Sequence, residues 1–142
     1  MEIFLQGTPG LEDILAEEAR SLSFSGVQSV AGGVICQGDL AEAMRANLWL
    51  RCAGRVLIRI AEFRAMHLAQ LDKRARKLDW ASILRPDRAW RVEATCRKSK
   101  IYHQRAAAER IEGAISAALG STPNPEAQIV VKLRIEDDLC TL

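Results

Sequence analysis

The sequence predicts an α+β protein built of two small units, and three observations carry that prediction. Apolar residues recur at two periods, alternating in some stretches and spaced by three or four in others, so strands and helices are interleaved. Turn residues punctuate these stretches at Thr8-Pro9-Gly10, Gly32-Gly33, Gly54 and Arg85-Pro86-Asp87. A length of 142 residues with 49% apolar side chains and mixed charge is that of an ordinary globular chain rather than a disordered one.

Glu2-Ile3-Phe4-Leu5 reads as a short strand, and Thr8-Pro9-Gly10 turns the chain into a helix with Leu11, Ile14, Leu15 and Leu22 at helical spacing. Beyond Gly26, residues 27–30 extend, and Gly32-Gly33 separates them from a third strand, Val34-Ile35-Cys36, as in a hairpin. Asp39 is a natural N-cap for the next helix, whose stripe is Leu40, Ala43, Met44 and Leu48. After Gly54 the run Arg55-Val56-Leu57-Ile58-Arg59-Ile60 is β-rich. The order strand, helix, strand, strand, helix, strand is the ferredoxin-like pattern, an antiparallel sheet with one face buried under two helices, and it assigns residues 1–64 to one unit.

The second unit, residues 65–142, opens with a charged helix over 68–78 that carries Lys73-Arg74-Ala75-Arg76-Lys77. Trp90, Val92, Ala94 and Cys96 alternate with Arg91, Glu93 and Thr95, which predicts a strand with one buried face. A helix over 103–119 follows, with Ala107, Ile111, Ala114, Ile115 and Ala118 inward and Arg105 beside Glu109 outside, and Gly120 stops it. Ile129, Val131, Leu133 and Ile135 mark another half-buried strand, Glu136-Asp137-Asp138 a turn, and Leu139-Cys140-Thr141-Leu142 its hairpin partner. The chain stops inside that last strand, so a cut from a longer protein is expected.

Charge is partitioned along the chain. Residues 1–50 hold two basic and seven acidic side chains, residues 51–112 sixteen and seven, and residues 113–142 two and four. An anionic partner is therefore steered to the middle segment. No apolar run approaches the roughly 20 residues of a membrane helix, and the start lacks the basic region of a secretory signal. A cytoplasmic location with no membrane partner is expected. Cys36, Cys52, Cys96 and Cys140 are widely spaced without a Cys-x-x-Cys pair and read as buried thiols, and no metal site is expected.

Catalytic chemistry is not evident. His67 and His103 are the two histidines, no Walker loop occurs, and Gly7, Gly10 and Gly32-Gly33 do not form a Gly-x-Gly-x-x-Gly fingerprint. The informative stretch is residues 97–105. Arg97, Lys98, Lys100 and Arg105 surround Tyr102 and His103 where a strand runs into a helix. Arg97 falls on the face opposite Cys96, and a helix starting just after Tyr102 aims free N–H groups at the same place, which favours phosphate. Tyr102 and His103 suit stacking on unpaired bases, so RNA is the expected partner. The competing reading has Tyr102 in the core and Lys98 and Lys100 merely solubilising a loop. Lys73, Arg74, Arg76 and Lys77, flanked by Asp72 and Asp79, read as a solvated helix face, Trp49 as packing at a helix-to-strand junction, and Trp80 and Trp90 as core or interdomain anchors.

Gly10-Leu11-Glu12, Gly32-Gly33-Val34 and above all the block from Asn47-Leu48-Trp49 through Arg55-Val56-Leu57 resemble the N-terminal region of bacterial THUMP-domain RNA methyltransferases, similar to those that modify guanine N2 of large-subunit ribosomal RNA. Leu78-Asp79-Trp80, Trp90-Arg91-Val92 and residues 96–103 resemble the THUMP portion. The resemblance implies a ferredoxin-like unit followed by an αβ THUMP domain truncated near its last strands, a noncatalytic module that delivers 23S ribosomal RNA to a methyltransferase domain of the same polypeptide. It further implies S-adenosylmethionine as the cofactor of that domain and none for this chain, which has neither a cofactor glycine loop nor an Asn-Pro-Pro motif. The alternatives are the THUMP module of a transfer-RNA methyltransferase or thiouridine synthetase, and an αβ interaction domain that binds no RNA.

Overall fold

A computed structural model describes residues 1–142 and divides them into two contact units, Met1–Ile60 and Ala61–Leu142. In the first unit, β1 (Glu2–Gln6) is followed by α1 (Glu12–Ser21), β2 (Ser25–Val30), β3 (Gly33–Gln37), α2 (Leu40–Trp49) and β4 (Arg55–Arg59). The strands form one antiparallel sheet in the order β2-β3-β1-β4, so the expected ferredoxin-like order is present. Period-two alternation places Ile3 and Leu5 of β1 and Val34 and Cys36 of β3 on the covered face. Leu15, Ala16, Ala19, Ala43 and Ala46 close over them from the helices.

The helix faces differ from those read from the sequence. Leu15 and Ala43 are buried as expected, but Leu11, Ile14, Leu40, Met44 and Leu48 stay exposed, as does Trp49. Small side chains bring a helix close to a sheet, and the larger apolar residues beside them then fall on the rim. Asp39 caps α2 as expected, its carboxylate accepting from the Glu42 amide at 3.0 Å. Gly32 has a φ of 84°, and its amide, with that of Gly10, donates to the Glu12 carboxylate.

A second carboxylate ties α1 to the segment after α2. Glu18 accepts from the amides of Arg51 at 3.0 Å and Cys52 at 2.9 Å. Burial raises its carboxyl, but the two amides and the Arg51 charge more than offset this, and the group lies below its ordinary value of 4.5. A depressed carboxylate contributes stability that is fully present above its unfolded value and lost as pH falls through its folded one. Glu18→Gln is therefore expected to cost about 1–3 kcal/mol at neutral pH. The gap between variant and wild type in urea titrations should close as pH drops below 4.5.

The second unit runs β5 (Glu62–Arg64), α3 (Leu68–Ala75), α4 (Trp80–Ile83), β6 (Trp90–Arg97), α5 (Gln104–Leu119), β7 (Ile129–Glu136) and β8 (Leu139–Thr141). Its sheet order is β5-β8-β7-β6, with β6 and β7 parallel across the α5 crossover and β8 antiparallel to both neighbours. The boundary lies at Ile60 and Ala61 rather than at Arg64, because Glu62–Arg64 pairs with Leu139–Thr141 and so belongs to the second sheet. Asp137 and Asp138 both take positive φ, the geometry of a two-residue hairpin turn.

Trp80 and Trp90 are buried as expected, the indole N–H of one donating to the Ala75 carbonyl and of the other to Ser121 Oγ, each at 2.9 Å. Ala107, Ile111, Ala114 and Ile115 are buried along α5, but Ala118 is exposed and Ala108 is buried instead. Gly120 ends that helix in the left-handed conformation at φ 66°. Cys36 and Cys140 are buried, whereas Cys52 is exposed and Cys96 half-buried, so the expectation of four buried thiols holds for two of them. No helix is long and apolar enough to cross a membrane.

Candidate nucleic-acid interface

Residues 97–105 are assembled at one end of the second sheet. Arg97, the last residue of β6, is exposed and stands in register with Glu136 of β7. Lys98 has a φ of 46°, a left-handed conformation that costs a residue with a Cβ roughly 1–2 kcal/mol. Hydrogen bonds to the β7–β8 turn hold it there. Ser99 Oγ donates to the Arg97 carbonyl at 2.8 Å and accepts from the Asp138 amide at 3.0 Å, and the Lys100 amide donates to Asp138 Oδ1 at 2.8 Å. The loop is thus a braced support for its cationic side chains.

Ile101 pins the next step, being 3% exposed, and the chain emerges again at Tyr102, which is 82% exposed. Core packing of Tyr102, the competing reading from sequence, is excluded. His103 caps α5, its Nδ1 accepting from the Ala106 amide at 3.0 Å. With Nδ1 acting as acceptor, the neutral imidazole carries its proton on Nε2, which leaves a donor for a ligand. Arg105 differs from the other five: it pairs with Glu109 at 3.0 Å and lies 3.8 Å from Glu112. Its charge is largely committed to its own helix.

The electrostatics are positive with an acidic edge. The Glu136 carboxyl lies below its ordinary value first because Arg134 hydrogen-bonds to it, and further because of the Arg97 and Lys98 charges. The loop cations therefore reach the turn that supports them. Lys100 Nζ lies 3.9 Å from Met66 Sδ, at the entrance of α3. Here His67 repeats the arrangement of His103, its Nδ1 accepting from the Gln70 amide at 3.2 Å.

The glycine turns of the first unit do not fit a cofactor. The Gly10 and Gly32 amides are taken up by Glu12, and a Cβ on Gly33 meets the Leu5 carbonyl oxygen, so neither turn offers a cradle of free N–H groups.

Residues 2–57 match the family model of the RlmL ferredoxin-like domain. The first unit is similar to that domain over nearly its whole length. The similarity to known proteins runs beyond the first unit into the second. Ribosomal RNA large subunit methyltransferase K/L of Syntrophotalea carbinolica is 36% identical over 115 residues, which are 81% of this chain and 16% of that protein. A predicted N6-adenine-specific DNA methylase from Listeria monocytogenes superposes with a TM-score of 0.89 at 27% identity, over 99% of this chain and 38% of its own. SMU.472, assigned as a methyltransferase and solved with SAH, shares the fold with a TM-score of 0.90 at 23% identity, over 99% of this chain and 40% of its own. The chain spans less than half the length of each of these relatives, and its similarity is to the N-terminal region of a ribosomal RNA methyltransferase.

Proposed function

We propose that the chain is a noncatalytic RNA-binding module, an RlmL-type ferredoxin-like unit followed by a THUMP domain, which presents ribosomal RNA to an S-adenosylmethionine-dependent methyltransferase domain of the same polypeptide. The observation that carries this reading is Tyr102, a ring left in solvent between Lys100 and the helix cap His103, on a loop braced by the β7–β8 turn. An exposed ring beside unpaired cations suits an unpaired base and its flanking phosphates. Similarity to the K/L methyltransferase supports the ribosomal substrate, and SAH in a protein of the same fold supports the cofactor of the catalytic domain. Arg97, Lys98 and Lys100 would neutralise phosphates, Tyr102 and His103 hold the base, and Arg105 contribute least because of its ion pairs.

Fluorescence anisotropy with a 23S ribosomal RNA fragment tests this. Lys98→Glu combined with Lys100→Glu is expected to weaken binding and to reduce the slope of log K against log salt by about 1.4, at about 0.7 per phosphate contact on a single strand. Tyr102→Ala should cost about 1–3 kcal/mol of affinity with the salt slope unchanged. Lys98→Gly serves as the folding control, since it relieves the left-handed backbone while removing a cation. Unchanged affinity in the charge-reversed and Tyr102 variants, with native melting curves, would defeat the assignment.

A further inference from the structure

We infer that the outer face of α3 is a second RNA contact, a phosphate track that receives the strand leaving the Tyr102 site; this rests on the RNA reading just proposed. Gln70, Lys73, Arg74 and Lys77 follow at spacings of three, four and seven, so they share one side of the helix and its last turn. Together with His67 and Ala69 they line a groove of about 410 Å³ that has no carboxylate in its wall.

The two acidic neighbours that sequence offers as counter-charges are engaged elsewhere. Asp72 accepts from Arg76 Nε at 2.8 Å, and Asp79 caps α4 by accepting from the Ser82 amide at 3.3 Å. Several other cations of this unit are matched: Arg85 with Asp87, Arg91 and Lys132 with Glu93, Arg105 with Glu109, Arg134 with Glu136. Lys73, Arg74 and Lys77 have no ion pair, and all three are exposed. The C-terminal dipole of α3 accommodates Lys73 and Arg74, but it leaves their ammonium and guanidinium donors open to a ligand.

Position connects this stripe to the loop. Its first residue, His67, follows Met66, whose sulfur lies 3.9 Å from Lys100 Nζ. From His67 to Lys77 the stripe runs for roughly 15 Å, ten residues at about 1.5 Å each. Three unpaired cations over that length suit about three consecutive phosphates and read no bases. The occupant is thus RNA backbone, held irrespective of sequence, adjoining the base gripped at Tyr102.

The test uses the full 142-residue chain with single-stranded oligoribonucleotides of about four and about ten nucleotides. Lys73→Gln, Arg74→Gln and Lys77→Gln combined should lower the salt slope for the longer oligonucleotide by about 2, equally for different sequences, and leave the four-nucleotide ligand little affected. All three residues are exposed, so the melting curve should match wild type. An unchanged slope in this variant, while Lys98→Glu with Lys100→Glu still weakens binding, overturns the track and leaves the Tyr102 grip standing. Loss of no affinity in either variant removes the RNA reading itself. Polyglutamate binding as tightly as the oligonucleotide would also overturn the track, by making it a site for acidic protein.

Discussion

Gly33→Ala is expected to unfold the first unit, at a cost of roughly 4 kcal/mol or more. A Cβ built at Gly33 lies 2.1 Å from the Leu5 carbonyl oxygen and 3.0 Å from Phe4 Cζ. The first of these is backbone in β1, whose neighbours on both sides are paired, so it has nowhere to move. Gly32→Ala is the contrast: nothing lies within 4 Å of its added Cβ, and the penalty is the positive φ alone, about 1 kcal/mol. Intrinsic fluorescence separates the units, because the buried Trp80 and Trp90 both lie in the second. In Gly33→Ala the far-ultraviolet circular dichroism should weaken while the signal of the buried tryptophans remains native. A native melt would mean that β1 and β3 do not share this register.

The second large effect is expected at Trp90. It opens β6 at 1% exposure, and its N–H donates to Ser121 beyond the end of α5. Trp90→Ala should lose about 3–5 kcal/mol through the cavity it leaves, read as a lower urea midpoint. Trp90→Phe retains much of the apolar contact and should lose less. Ser121→Ala, which removes only the partner of the indole N–H, should cost about 1 kcal/mol. A Trp90→Ala midpoint close to wild type would show that β6 does not start in the core.

Sequence made the local chemistry of the fold legible and left the long-range choices open. Asp39 announces a cap, Gly120 a helix stop and Asp137-Asp138 a turn because each acts on its own neighbours. β5 left no such signal: Glu62-Phe63-Arg64 has a single apolar residue, and its pairing with β8 depends on residues at the far end of the unit. The helix faces depart from the expected stripes for a related reason: hydrophobicity favours Leu40, Met44 and Leu48, whereas close packing on the sheet keeps only Ala43 of that stripe and adds Ala46.

The candidate site divides in the same way. The strand-to-helix junction and its cations follow from parity and spacing, and Arg97 lies on the exposed side as its parity requires. The exposure of Tyr102 depends on Ile101 taking the inward position, which composition leaves undecided. The α3 stripe was visible as spacing, but its lack of neutralisation was not. That depends on Asp72 and Asp79 turning to Arg76 and the α4 cap.

The place of β8 between β5 and β7 carries a consequence for the order of events during folding. Ala61 and Leu142 exchange two backbone hydrogen bonds, so the first and last residues of the second unit close against each other. The loop between them is the whole unit, and its closure entropy must be met before β5 can pair with β8. While the polypeptide is being synthesised, β7 and β5 therefore keep open edges until residues 139–141 have been added. The β6–α5–β7 portion, joined by a parallel ladder and a packed helix, has its contacts available earlier. It is the natural first stage, and the pairing of β5 with β8 is then expected among the last contacts to form.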